Sequence, residues 1–138
     1  PKDSVYWTTW EKFIREDLLK GGYISEEDLH FFTLCSDADE AVAHIQQFYK
    51  IYHSVRYDNN QAFVRLNTLL SDKTLANLSK NFSDILGGTP IQQFKDAKSS
   101  GDKPVFGQLP RLVFPFSRIH IGRLTALIHA INQEEHHA

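Results

Sequence analysis

The sequence contains no methionine, a single cysteine and no apolar run approaching the ~20 residues of a membrane span or the apolar core of a signal peptide. Cys35 alone closes no internal disulfide, which points to a reducing, cytoplasmic setting and to a buried thiol at the end of an apolar segment. A chain without methionine that opens on Pro1 is expected to be a processed or truncated product, or one whose initiator was removed before proline. Excess charge is also lacking. Fifteen Lys and Arg against seventeen Asp and Glu leave a formal net charge of -2, not the basic balance of a general nucleic-acid binder, so any phosphate recognition must be local. The dinucleotide fingerprint GxGxxG, the zinc-protease HExxH, CxxC and the nucleophile elbow GxSxG are missing, and Gly87-Gly88-Thr89-Pro90 lacks the glycine pattern and lysine of a P-loop. His136-His137 have no third ligand nearby, so neither a metal nor a cofactor is expected.

What is present suits one ordinary domain or two small ones: 138 residues, 41% hydrophobic and 12% aromatic, enough to bury a core. The charge is uneven, with eleven acids and seven bases in residues 1–69 but six acids and eight bases in 70–138.

Trp7, Trp10, Phe13, Ile14 and Leu18 recur at helical spacing and predict an amphipathic helix stopped at Gly21-Gly22, with Ser25 and Asp28 capping a further short turn. Residues 29–35 form a short apolar run that predicts a strand buried on both faces, as in a parallel sheet. Ser36 and Asp37 cap a second helix expected from about Asp37 to about Ser54, with Val42, Ile45, Tyr49 and Tyr52 on its apolar face. After the turn Asp58-Asn59-Asn60, residues 62–66 predict a strand, and Ser71 or Asp72 caps a helix carrying Leu75, Leu78, Phe82 and Ile85 that stops at Gly87-Gly88. A short strand is expected at 91–94. Residues 95–108 read as a mobile, linker-like connection without core. Residues 109–116 predict a strand with Leu112, Phe114 and Phe116 on one face, where Pro115 favours an edge or a bulge. Ile121, Leu124, Ile128 and Ile131 mark the last helix before a polar tail, 134–138. The fold class is α+β: a helix-strand-helix segment, 1–54, precedes a β-α-β-β-α arrangement, 55–133, with five of the six elements of a ferredoxin-like (split βαβ) sandwich. An RNA-recognition module shares that order, but neither 63–66 nor 112–114 matches its aromatic signature.

Two clusters are candidate ligand sites. Tyr52, His53, Ser54, Arg56 and Tyr57 crowd aromatic rings, an imidazole, a hydroxyl and a guanidinium at the expected end of the second helix. They either bind a phosphate-bearing ligand, or His53 and Ser54 cap that helix, with Tyr49 and Tyr52 in the core and Arg56 paired to an acid. Arg65, Arg111, Arg118, His120 and Arg123 form the second group, either an anion site near the start of the last helix or solvated surface cations.

Tyr6-Trp7, residues 22–29, residues 37–42, Phe48-Tyr49, the Tyr52-His53-Ser54-Val55-Arg56-Tyr57 segment and residues 109–114 together resemble the C-terminal part of long LOG (Lonely Guy)-type proteins. These are Rossmann-fold nucleotide-binding proteins labelled "possible lysine decarboxylases". The resemblance implies that 1–54 closes a Rossmann-like domain and that 55–133 is the α+β extension of the longer members. For the family it implies hydrolysis of the N-glycosidic bond of nucleoside 5′-monophosphates, usually by a homodimer. The family's Pro-Gly-Gly-x-Gly-Thr-x-x-Glu loop has no counterpart here, so no catalytic residue is carried over and the isolated chain is expected to be inactive. The expected role is a non-catalytic accessory and dimerisation region, whose partner is a second copy or a preceding Rossmann-like domain, with neither nucleic acid nor membrane as a partner. A nucleotide-sensing or other small-ligand module is the alternative, as is a contribution to an active hydrolase when the N-terminal domain is supplied.

Overall fold

The computed structural model describes residues 3–133, so the polar tail with His136-His137 lies outside the described residues. The chain divides into two compact units, the first ending at Gln47 and the second starting at Phe48.

The first unit is helical. Helix α1, Val5–Phe13, begins where the Ser4 hydroxyl accepts from the Trp7 N–H, and it widens into a π-helical segment, Ile14–Leu19. Gly22 ends it in the left-handed conformation, φ +74°, which is costly for any residue with a Cβ. The buried strand expected at 29–35 does not form. Ser25 and Asp28 build a reciprocal capping box that winds Glu26–Phe31 into a 3-10 helix, and 32–35 has no regular structure and no pairing strand among the described residues. The helix-strand-helix reading of this segment is therefore corrected to helices alone, and Cys35 is half-buried rather than buried. Helix α2, Ala38–Phe48, is capped reciprocally: Asp37 accepts from the Glu40 N–H at 2.8 Å and Glu40 from the Ser36 N–H at 2.6 Å.

The second unit is a four-stranded antiparallel sheet, β1 Tyr52–Asp58, β2 Gln61–Leu66, β3 Gln92–Phe94 and β4 Arg111–Pro115, in the order β1-β2-β4-β3. Helices α3, Asp72–Asn81, and α5, Ile121–Gln133, add side chains to the core, and a single turn of helix, α4 Ala97–Ser100, lies between β3 and β4 in sequence. Residues 52–54, expected to end the second helix, begin β1 instead. The alternation of Val55 and Tyr57 with Ser54, Arg56 and Asp58 has the period of a strand, and Asn59 and Asn60, both at positive φ, form the tight two-residue hairpin to β2. One extra residue at His53 breaks the β1–β2 register between Tyr52 and Ser54. This bulge places Tyr52 in the core and turns Ser54 and Arg56 to the other face, although all three share a parity in sequence.

On the core face, Ala62, Val64 and Leu66 of β2 meet Leu112 and Phe114 of β4, with Leu124, Leu127, Ile128 and Ile131 of α5 in the same buried cluster. Pro115 does not push β4 to an edge, because β4 pairs with both β2 and β3. The register turns its nitrogen to the β3 side beyond Gln92, where no donor is needed. Helix α3 stops at Asn81, earlier than the apolar periodicity implies, because the Arg123 guanidinium takes the Asn81 carbonyl at 2.7 Å and pairs with Asp84 at 2.9 Å. Phe82 and Ile85 still reach the core, from the turns that follow.

Asn132 joins the ends of this unit. Its Oδ1 accepts from the Ile51 and Tyr52 N–H groups at 2.7 and 3.0 Å, and its Nδ2 donates to the carbonyls of Phe48 and Ile128. The side chain is only 1% exposed, so Asn132→Leu strands two backbone donors where water cannot reach them. The expected cost is about 2–4 kcal/mol, measured as a lower urea midpoint with an unchanged m-value.

Candidate functional site

The helices leave one sheet face to a different set of residues. Arg56 of β1, Arg65 of β2 and Arg111 of β4 stand on it, with Phe63 opposite Arg56 and Val113 opposite Phe63. Their parity along each strand is opposite to that of the core residues, and this alternation places all three guanidiniums on one side.

They converge on Asp102. Arg56 Nε donates to Oδ1 at 2.6 Å, Arg111 Nε to Oδ2 at 2.8 Å and Arg65 Nε to Oδ2 at 3.1 Å, with Arg65 Nη2 in ion-pair range at 3.0 Å, while the Lys103 N–H adds a bond to Oδ1 at 2.7 Å. The Asp102 and Arg111 side chains are fully buried and that of Arg65 is 7% exposed. Arg56 also pairs with Asp58 at 2.7 Å and lies over the Phe63 ring. Arg111 donates further to the carbonyls of Leu109, Val105 and Phe106. Burial alone pushes the Asp102 carboxyl up; hydrogen bonds from Arg111, Arg56 and the Lys103 N–H, with the charge of Arg65, outweigh it and hold the group down at about 2.

Residues 95–108 are thus not a bare linker. Asp96 caps α4 through the Ser99 N–H, Ala97 is buried, and Asp102 is the hub of the sheet's second face. No signal in the sequence singled Asp102 out, because its segment carries the Ser, Gly and Pro residues of an ordinary loop. The available clue was arithmetic: three arginines at outward strand positions need a carboxylate partner if they are to be buried.

The two predicted clusters are redistributed. From the first, Tyr52 goes to the core, against Phe48, and burial raises its hydroxyl to about 12. Tyr57 stacks on Phe116, and its hydroxyl is raised chiefly by burial. His53 and Ser54 lie in a strand and cap no helix; His53 meets the Phe106 ring, and Ser54 accepts from Arg65 Nη1 at 3.4 Å. From the second group, Arg65 and Arg111 join Arg56. Arg118 lies over the Tyr57 ring and lines a cavity of about 460 Å³ with Asn59, Asn60 and Ser117. His120 lines a neighbouring cavity of about 420 Å³, and Arg123 caps α3. Among the described residues, no group of three or more His, Cys, Asp or Glu side chains is placed to hold a metal ion, and no helix is long and apolar enough to cross a membrane. Comparison with family models, curated proteins and solved structures finds no match to this chain.

The low folded-state value at Asp102 has a signed consequence. A carboxyl depressed from its ordinary 3.8 to about 2 contributes stability that is fully present above about pH 4 and is lost as the pH falls toward 2. Asp102→Asn leaves two buried arginines and the partly exposed Arg56 facing a neutral amide and is expected to cost about 3–5 kcal/mol at pH 7. The difference between wild type and variant in denaturant titrations should shrink between pH 4 and pH 2, and a constant difference would remove Asp102 as the titrating group.

Proposed function

We propose that this chain is a non-catalytic accessory region that self-associates through its helical unit, and that it belongs to a LOG-like nucleotide-processing protein. The observation that carries this reading is the state of the first unit. None of its described residues is buried, yet Trp7 and Phe13 of α1 are 37% and 49% exposed, and Val42 and Ile45 of α2 are 51% and 57% exposed. An apolar face of this extent gains by being covered, and a second copy supplies an identical face for a two-fold contact. The second unit supports a scaffold role. Arg56, Arg65 and Arg111 are engaged by Asp102, and Arg111 by three carbonyl groups as well.

The finer fold belongs to the same proposal. Strands β2 and β3 both run antiparallel to β4 between them, the arrangement of a split βαβ unit. The missing sixth element of a ferredoxin-like sheet would lie beside β2, and β1 occupies that place from the N-terminal side.

Sedimentation equilibrium from micromolar to submillimolar concentration tests the association. A dimer is expected, and Val42→Glu with Ile45→Glu should raise its dissociation constant about 100-fold or more without changing the far-UV circular dichroism. Release of free base from nucleoside 5′-monophosphates should be absent. A monomer throughout the range, or sustained turnover by this chain alone, contradicts the reading.

A further inference from the structure

We propose that the Arg56, Arg65 and Arg111 face is a binding site for a phosphate dianion, and that Asp102 is its resident stand-in, carried on a strap that lifts when phosphate takes its place. This goes beyond the accessory reading and does not depend on it.

Charge is the first support. Three guanidiniums face two carboxylates, Asp102 and the more exposed Asp58, which leaves one net positive charge around a fully buried arginine. Uncompensated charge in a desolvated site is costly, and a dianion in place of the Asp102 carboxylate brings the balance to zero. Guanidiniums arriving from three strands suit the several oxygens of a phosphate better than the two of a carboxylate.

The strap is the second support. Within residues 101–110 only Asp102 is buried; Val105 and Phe106 are more than half exposed. The segment holds to the sheet chiefly through polar groups: one carboxylate, the three carbonyls gripped by Arg111 and the Pro110 carbonyl bonded by the Leu66 N–H, with the exposed Phe106 ring against His53 as its one aromatic contact with the sheet among the described residues. It is also strained. Phe106 sits at φ +55°, a left-handed conformation that a bulky side chain adopts only under constraint from its surroundings, and release of the strap relieves it. Gly101, at φ +72°, supplies a compliant joint at the other end.

The test uses the full chain at about pH 8, where phosphate is mainly a dianion. Inorganic phosphate and glycerol 3-phosphate are titrated against wild type and Asp102→Asn, with sodium fluoride as a kosmotropic salt control. Thermal shift and phosphorus NMR report binding, and chymotrypsin cleavage after Phe106 reports the strap. Both probes are expected to bind Asp102→Asn saturably and at least about tenfold more tightly than wild type, and Arg56→Ala in that background should weaken binding about tenfold or more. In wild type, phosphate should speed cleavage after Phe106 and fluoride should not. A preference for glycerol 3-phosphate assigns the site to phosphomonoesters, and a preference for the inorganic ion assigns it to free phosphate. If Asp102→Asn is folded and shows no saturable binding, or if phosphate leaves wild-type cleavage unchanged or slows it, the proposal is overturned. Should the variant fail to fold, the wild-type cleavage experiment decides alone.

Discussion

One carboxylate organises the sheet face turned away from the Leu, Ile and Phe core. Asp102 receives donors from three strands and from its own backbone neighbour, and burial makes each of these bonds stronger and each unmade bond more expensive. Arg111 is fully buried and tolerable there only because its donors reach Asp102 and three carbonyls. The same interaction therefore sets the path of residues 102–110, the orientation of three guanidiniums and the acid limb of stability. It is also what separates a scaffold from a binding face, since the groups that lock the loop are those that would grip an anion.

The opposite face follows a different logic. Its cluster of Leu, Ile, Val and Phe side chains is held by non-directional burial, each fully buried side chain contributing about 1.5–3 kcal/mol. Direction comes from a few polar ties. Asn132 fixes the end of α5 to the start of β1, and Arg123 fixes the end of α3 to α5. The bulge at His53 is what allows one strand to serve both faces, since it places Tyr52 in the core and Arg56 on the arginine face.

Local pattern made much of the second unit legible. Strand period gave β2 and β4 with Leu112, Phe114 and Phe116 on one face, Ser71 announced α3, and helical spacing gave α5 with Leu124, Ile128 and Ile131 inside. The failures lie where distant residues decide. Tyr52 to Ser54 fit a helical spacing as well as a strand, and pairing with β2 settles the matter. Residues 29–35 look like a buried strand, but a strand needs a partner, and the Ser25–Asp28 capping box wins locally. The arginines read as chemically active, and Arg65 and Arg111 already fall in one group, but that group also takes in Arg118 and Arg123 and leaves Arg56 with Tyr52 and Tyr57, whereas the sheet register unites Arg56 with Arg65 and Arg111. Asp102 was invisible because nothing local marks a loop aspartate as the partner of three strand positions.

The most direct test of this account is the nitrogen–proton NMR spectrum of the arginine side chains at neutral pH. The carboxylate-bonded Nε–H groups of Arg56, Arg65 and Arg111 should give three resonances displaced from the solvent-exposed position and slow to exchange with water. In Asp102→Asn they should move together toward it. Three rapidly exchanging resonances at the exposed position in wild type would contradict the account, because no shared carboxylate would then be holding these guanidiniums against the sheet.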